Sequence, residues 1–176
     1  MKSNKFACAV LFDLSIAFDT VDHNILLKKF CYGFQDLPFT WCESYLENRE
    51  QIVFSNSIHS DSLDELPYSL PQGSVLGPLF FLLYINDINY AISLSYFHLY
   101  ADDTIIIRAS NCTVDLLSSM ESELASLDDW FVLNKLTPNK KKCEIIFFAN
   151  QVNIKKCSGL TIKFCGNLLI QRPFLC

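Results

Sequence analysis

An unbroken apolar run covers residues 6–12 (FACAVLF) and ends at Asp13. A short apolar run without alternation is typical of a β-strand that is covered on both faces. Two further apolar segments, 94–100 and 104–108, are joined by Ala101-Asp102-Asp103. They predict a hairpin with two carboxylates at its tip. The sequence therefore indicates a sheet whose strands end in acidic residues.

Four helices are expected from hydrophobic periodicity and capping residues. They are a helix that starts after Asp19 or Asp22 and buries Ile25, Leu26 and Phe30, a helix over about 38–48, a helix that begins near Pro78, and a helix over 114–134 with Thr113 as N-cap. The third is apolar on every side, which predicts that it is buried all round. The fourth has an apolar stripe of Leu117, Met120, Leu124, Leu127 and Phe131.

The remaining segments predict strands and turns. Strands are expected at 50–58 and 143–149, a turn at Pro71-Gln72-Gly73-Ser74, and a final hairpin over 160–171 around Gly166-Asn167. Helices that return the chain to the same sheet give an α+β layer with helices on one face. This arrangement is the expected fold class.

Charge is divided unevenly along the 176 residues, whose net charge is −5. Residues 1–134 carry 6 basic and 18 acidic side chains, whereas 135–176 carry 8 basic residues and the single acid Glu144. This division suggests an acidic part that holds cations and a basic end that meets phosphates. A solvated lysine surface is the alternative explanation for the basic end.

Several classes of protein are disfavoured. The 8 cysteines include no Cys-x-x-Cys pair, and the 3 histidines are far apart in sequence, so a zinc site is not expected. The N-terminal apolar run is interrupted at Asp13, unlike a signal peptide, and no segment is long enough to span a bilayer. We therefore expect an intracellular protein, nuclear or cytoplasmic, with no membrane partner and with free thiols.

The carboxylates of Asp13, Asp102 and Asp103 are the candidate metal ligands. If their two strands are neighbours in the sheet, the three side chains converge, and such a cluster is most stable around divalent cations. Two Mg²⁺ or Mn²⁺ ions about 3.5–4 Å apart can promote displacement at phosphorus. Ordinary turn chemistry is the alternative explanation for Asp102-Asp103, because Asp favours hairpin turns.

Five segments in this order resemble the reverse transcriptases of non-long-terminal-repeat, jockey-like retrotransposons. They are 12–23 (FDLSIAFDTVDH), 41–51 (WCESYLENREQ), 70–78 (LPQGSVLGP) continuing to 84–87 (YIND), 100–104 (YADDT), and 130–143 with Trp130, LNKL at 133–136 and NKKKC at 139–143. Order and spacing make the set far more specific than any single motif.

The resemblance implies a polymerase palm-like antiparallel sheet and RNA-directed DNA polymerase activity. Asp13 and Asp102 would be the principal ligands of two Mg²⁺ or Mn²⁺ ions, with Asp103 as the third carboxylate. Phe18 would lie under the sugar and exclude a 2′-hydroxyl, and Gln72 and Gly73 would lie beside the nucleotide and template base. Lys142 aligns with a lysine near the triphosphate. The implied partners are an RNA template, a DNA primer and deoxynucleoside triphosphates.

The resemblance also implies that residues 1–176 are a single partial reverse transcriptase domain. The start of a primer-holding hairpin would lie near 160–176, and the fingers and thumb would be largely absent. The alternative is a truncated, non-catalytic mobile-element remnant that folds and binds metal or nucleic acid. A nucleotide cyclase on a similar palm is disfavoured, because its hairpin motif differs from Tyr100-Ala101-Asp102-Asp103. The oligomeric state is left open.

Overall fold

A computed structural model describes residues 6–47, 49, 54–55, 58–59, 68–100, 103–150 and 153–170. In chain order its elements are β1 (Phe6–Phe12), α1 (His23–Phe30), α2 (Asp36–Leu46), β2 (Phe54–Ser55), β3 (Ile58–His59), α3 (Leu76–Ile85), a 3₁₀ helix (Asn86–Ala91), β4 (Tyr96–Tyr100), β5 (Asp103–Ser110), α4 (Thr113–Leu133), β6 (Glu144–Phe148), α5 (Ile154–Cys157), β7 (Thr161–Phe164) and β8 (Asn167–Ile170).

The chain divides into two compact units. The sheet unit comprises Met1–Ala17 and Asp87–Cys176, and the helical unit comprises Phe18–Asn86. Each unit has its own buried apolar residues, so each can be described from its own contacts.

The sheet unit is built on a four-stranded antiparallel sheet with the order β4-β5-β1-β6. The apolar segment β1 pairs on both sides, with β5 from Phe6↔Ser110 to Phe12↔Thr104 and with β6 from Ala7↔Phe148 to Leu11↔Glu144. The prediction of a buried strand that ends at Asp13 is therefore confirmed. The hairpin of β4 and β5 is also confirmed, although Ala101 and Asp102 lie outside the described residues.

Helix α4 packs against β1, β5 and β7. The ring of Phe12 meets that of Phe131 edge-on, with centroids 5.6 Å apart, so alternate β1 side chains face this helix. The predicted periodicity is confirmed with two corrections. Leu116, not Leu117, is fully buried in the stripe, and Thr113 is the first helical residue rather than the N-cap. Cys112 holds the cap position and makes no side-chain capping bond.

The β7–β8 hairpin turns one residue earlier than predicted. Its turn residues are Cys165 and Gly166, with φ angles of 48° and 76°, a pair of positive values typical of a type I′ turn. Asp128 of α4 accepts a hydrogen bond from the backbone N–H of Cys165 at 3.0 Å. The turn is thereby attached to the helix that packs under the sheet. Helix α5, just before this hairpin, was not predicted.

A buried carboxylate connects α4 to the start of β4. Glu123 is 6% exposed and accepts hydrogen bonds from the backbone N–H groups of Leu94 at 2.6 Å and Ser95 at 3.1 Å. It also accepts a hydrogen bond from the Ser95 hydroxyl and lies 3.6 Å from the guanidinium of Arg108. The sequence pattern did not indicate this residue, because an acidic side chain within an apolar stripe is ordinarily assigned to solvent.

In the helical unit, α1 begins where one of the two predicted caps lies. The Asp22 carboxylate accepts a hydrogen bond from the backbone N–H of Ile25 at 3.0 Å. Leu26 and Phe30 are buried as expected, whereas Ile25 is only half-buried. Lys29, near the end of α1, contacts α3. It is half-buried, and its ammonium donates to the backbone carbonyl of Tyr84 on α3 at 2.5 Å.

Two other predictions for this unit are wrong. Helix α3 is not buried all round, since Leu79 and Leu82 are each 48% exposed. Periodicity cannot choose a face for a helix that is apolar on every side, and here only the face of Phe80, Phe81 and Tyr84 packs inward. The single strand predicted at 50–58 is also wrong at its C-terminal end, because Ile58 belongs to β3, which pairs antiparallel with β2. Residues 50–53 and 56–57 lie outside the described residues. No helix within the described part of the chain combines the length and the apolarity needed to cross a bilayer.

The predicted turn before α3 is confirmed. The N–H of Ser74 donates to the carbonyl of Pro71 at 3.2 Å, and Gly73 has a φ of +81°, which an L-residue adopts only with strain. Gly77 lies in the first turn of α3, where a Cβ atom would approach Ser74 Oγ to 3.0 Å and the Pro71 carbonyl to 3.1 Å. Both glycines are thus required by the shape of this loop.

We expect Glu123→Ala to lower the free energy of unfolding by about 2–4 kcal/mol, because it leaves the N–H groups of Leu94 and Ser95 without their acceptor and the guanidinium of Arg108 without its anionic partner. Chemical denaturation followed by circular dichroism measures the change. Glu121→Ala, on the exposed side of the same helix, is the matched control and should shift stability by less than about 0.5 kcal/mol. Equal effects of the two substitutions would contradict the role of Glu123.

We expect Gly73→Ala to destabilise the chain by about 1–2 kcal/mol through backbone strain alone. Neither Gly73 nor Gly33 has a described atom within 4 Å of an added Cβ, but only Gly73 has a positive φ. Gly33→Ala is therefore the control and should be nearly neutral. Thermal unfolding measures the stability of both variants. An equal loss of stability in both would mean that the positive φ of Gly73 is not the reason for its glycine.

Candidate functional site

Asp13 and Asp103 lie at the same edge of the sheet. The ladder between β1 and β5 runs to Phe12↔Thr104, so Asp13, the residue that follows β1, continues towards the position of Asp103. Asp13 is 8% exposed, whereas Asp103 is exposed. Both line one open cleft of about 350 Å³. Asp13 and Asp103, which are far apart in sequence, thus line the same cleft, as expected if their strands are neighbours.

The predicted set of three carboxylates extends beyond the described residues. Asp13 and Asp103 belong to the described part of the chain, whereas Asp102 lies outside it. Within the parts of the chain that the structure describes, no group of three His, Cys, Asp or Glu side chains is close enough to hold a metal ion. The metal role of Asp13, Asp102 and Asp103 therefore stays a prediction.

Lys142 lies in the same cleft and contacts Asp13 directly. Its ammonium donates to Asp13 Oδ2 at 2.5 Å. The backbone of the preceding loop supports this contact, because the N–H of Asn139 donates to the carbonyl of Asp13 at 2.7 Å. The sequence assigned Lys142 to a triphosphate site only by resemblance, and the structure places it beside a candidate metal ligand.

Glu144 is a cleft residue that the sequence did not single out. It is the first residue of β6, is half-buried, and pairs with Leu11 across the sheet. Leu11 is two positions from Asp13, so Glu144 adds a further carboxylate to the lining of the cleft. The available signal was its isolation as the only acid in the basic C-terminal part.

Cys143, between Lys142 and Glu144, is not a thiolate at neutral pH. Burial raises the pKa of its thiol to about 11, and the negative charges of Asp13 and Asp128 act in the same direction. Its Sγ donates to the carbonyl of Asn139 at 3.3 Å. The charge in this part of the cleft is therefore carried by carboxylates and by Lys142.

The donors of the cleft fit a hard divalent cation. Carboxylate oxygens are the ligands that Mg²⁺ and Mn²⁺ prefer. Asp13 Oδ2 already contacts one cation, because the ammonium of Lys142 lies 2.5 Å from it.

The three other predicted site residues lie in the helical unit. Phe18 is half-buried and stacks on Phe81 of α3, with ring centroids 4.9 Å apart and planes inclined by 28°. The carbonyl of Phe18 accepts the N–H of Leu70 at 2.8 Å, which holds the segment before the Pro71–Ser74 turn against it. Phe18 and this turn are thereby neighbours although about fifty residues separate them.

Gln72, within that turn, is held by a residue whose role the sequence did not indicate. Its side-chain amide donates to both carboxylate oxygens of Asp19, at 3.1 and 3.3 Å. Gln72 and Gly73 are both exposed. The helical unit therefore presents Phe18, Gln72 and Gly73 around one loop, while Asp13, Asp103 and Lys142 are gathered in the sheet unit.

Comparison with solved structures shows the fold. The chain resembles a structure of apo telomerase from Candida tropicalis truncated from its C-terminal domain, with a TM-score of 0.60 and 16% identity over 92% of this chain and 33% of that one. It also resembles telomerase from Candida albicans in complex with a TWJ fragment of telomeric RNA, with a TM-score of 0.58 and 13% identity over 94% and 29% of the two chains. The palm-like α+β prediction is confirmed.

Curated relatives are RNA-directed DNA polymerases of mobile elements. The jockey polymerase of Drosophila funebris is 29% identical over 96% of this chain and 19% of its own length, and that of Drosophila melanogaster is 27% identical over 92% and 18%. A probable polymerase of the Drosophila melanogaster transposon X-element is 30% identical over 84% and 16%. The chain thus spans about a fifth of the length of these relatives, and the resemblance to jockey-like elements is confirmed.

A protein-family comparison covers nearly the whole chain. Residues 1–166 match the family described as reverse transcriptase (RNA-dependent DNA polymerase). This match includes both units and all of the predicted site residues, described or not. The chain therefore belongs to the reverse transcriptase family.

Proposed function

We propose that the chain is the palm portion of an RNA-directed DNA polymerase that adds deoxynucleotides to the 3′-hydroxyl of a primer paired with an RNA template. The observation that carries this proposal is the shared cleft of Asp13 and Asp103 at the end of the central strand. Family membership supplies the reaction class. The intracellular site of action, nuclear or cytoplasmic, belongs to the same proposal.

The acidic residues of the cleft would hold the metal ions that reverse transcriptases generally use. Asp13, Asp102 and Asp103 are their proposed ligands. Two bound Mg²⁺ or Mn²⁺ ions would make the primer hydroxyl a better nucleophile and stabilise the charge of the departing pyrophosphate. The chain's own contribution is to hold Asp13 rigidly, through a buried position and through the backbone bond from Asn139.

The helical unit would bind the incoming nucleotide. The stack on Phe81 fixes the ring of Phe18, so the ring can serve as a wall that a 2′-hydroxyl would meet. Asp19 fixes the amide of Gln72, and Gly73 lets the backbone approach a ligand closely. These contacts support a site that selects a deoxyribose by shape.

The basic C-terminal part would contact phosphates. Lys142 lies in the cleft and is a candidate proton donor to the pyrophosphate leaving group, whose bond to the α-phosphorus breaks as the primer oxygen binds. Lys140, Lys141, Lys155, Lys156 and Lys163 are all exposed. Such charges favour a nucleic-acid backbone in a salt-dependent manner.

We expect Asp13→Asn and Asp103→Asn each to weaken Mn²⁺ binding at least tenfold, because each removes a negatively charged oxygen ligand. Electron paramagnetic resonance of free Mn²⁺ measures the affinity. Asp115→Asn, an exposed acid on α4 with the same change in net charge, is the control and should leave it unchanged.

Two metal-ligand variants, Asp13→Asn and Asp102→Asn, can be tested for extension of oligo(dT) on poly(rA) in the presence of Mg²⁺. We expect Asp13→Asn and Asp102→Asn to abolish the incorporation of deoxynucleotides. Extension by either variant at the rate of the unaltered chain would refute the metal roles. Mn²⁺ binding without any extension by the unaltered chain would instead favour the non-catalytic remnant.

We expect Phe18→Val to admit ribonucleotides, because a smaller side chain leaves room for the 2′-hydroxyl. The measurement is the ratio of ribonucleotide to deoxynucleotide incorporation, which should rise by at least tenfold. Phe34→Val is a control in the same unit, since Phe34 is also half-buried and packs on Phe30. An unchanged ratio in Phe18→Val would remove the sugar-selection role.

A further inference from the structure

We propose that Lys142 is an internal counter-ion of Asp13 that competes with the divalent cation for the same carboxylate oxygen. Lys142 thereby sets how tightly the cleft binds metal. This inference rests on the proposed function, because it takes Asp13 as a metal ligand. It concerns a regulatory property of the cleft, which is distinct from proton donation to pyrophosphate.

The geometry of the ion pair is asymmetric. The side chain of Asp13 is 11% exposed, whereas that of Lys142 is 64% exposed. Their contact, Nζ to Oδ2 at 2.5 Å, therefore joins a fixed carboxylate to a cation whose stem is in solvent. When another cation takes Oδ2, Lys142 is the partner that can move away without disturbing the core.

The loop before β6 directs Lys142 to this position. The N–H of Asn139 donates to the carbonyl of Asp13 at 2.7 Å, and the N–H of Lys142 donates to the carbonyl of Asn139 at 2.9 Å. The side chain of Asn139 accepts the N–H of Lys141 at 3.2 Å. These hydrogen bonds hold the backbone of Lys142 near Asp13. They explain why Lys142 makes the ion pair, although the adjacent Lys140 and Lys141 have the same side chain.

The difference in charge explains why a divalent ion can replace Lys142 at Asp13. A buried carboxylate is unfavourable without a nearby positive charge, and Lys142 supplies one. A divalent ion carries twice that charge and accepts several oxygen ligands at once, so it can displace an exposed ammonium. Because Asp103 and Glu144 line the same cleft, the remaining acidic charge favours the divalent ion over the lysine.

Displacement has a consequence for the substrate. The ammonium that leaves Oδ2 remains attached to the Asn139–Lys142 loop at the edge of the cleft. There it is available to an anionic phosphate that arrives with the cation. Metal binding would in this way be coupled to the availability of Lys142 for the triphosphate.

The test is a Mn²⁺ titration of the whole chain and its variants, followed by electron paramagnetic resonance. Lys142→Gln should bind Mn²⁺ about three- to thirtyfold more tightly, because a competing charge is removed. Lys142→Arg keeps the charge and should bind no more tightly than the unaltered chain. Lys141→Gln makes the same change in net charge one residue away and should shift affinity by less than about twofold. Equal or weaker binding by Lys142→Gln would overturn the proposal.

A second measurement does not depend on the affinity. Amine acylation read by mass spectrometry should label Lys142 more rapidly when Mg²⁺ is added, whereas labelling of Lys141 should not change. Mg²⁺-independent labelling of Lys142 would contradict displacement.

The Asp13→Asn variant separates the failure of this proposal from that of the proposed function. If Asp13→Asn loses Mn²⁺ but Lys142→Gln gains nothing, only the counter-ion role is wrong. If Asp13→Asn binds as tightly as the unaltered chain, the metal site of the proposed function fails and the counter-ion role fails with it.

Discussion

The antiparallel pairing of β1 with β5 is the constraint on which the rest of the site depends. Because the ladder runs in register to Phe12↔Thr104, it brings Asp13 and Asp103 to one edge of the sheet and into one cleft. A slip of one residue would turn the β1 side chains to the opposite face and separate Phe12 from Phe131 of α4. Core packing and the position of the candidate ligands are thus determined by the same register.

Around this strand, buried polar contacts hold the elements that approach the cleft. Glu123 attaches the segment just before β4 to α4, and β4 pairs with β5, whose first residue is Asp103. Asn139 attaches the loop before β6 to the end of β1, beside the ion pair of Lys142 and Asp13. Breaking either contact would leave a hydrogen-bonding group without its partner. These contacts therefore hold the elements around the cleft in place.

Much of the fold was predictable because its signals are local. The apolar run of β1, the Asp22 cap, the 71–74 turn and the periodicity of α4 depend on residues within a few positions of one another. The errors occurred where the signal was ambiguous. An apolar helix such as α3 gives no indication of which face packs, and the turn at Cys165-Gly166 was predicted one residue late because Gly166-Asn167 is also a good turn pair.

The family and the palm-like α+β class could be predicted from the sequence, because motif order and strand patterns follow the order of residues along the chain. Which side chains contact one another became clear only from the folded chain. The contacts of Lys142 with Asp13, of Gln72 with Asp19 and of Glu123 with Leu94 join residues distant in sequence. Their physical origin is strand register and helix packing, and neither can be read from the spacing of the residues themselves.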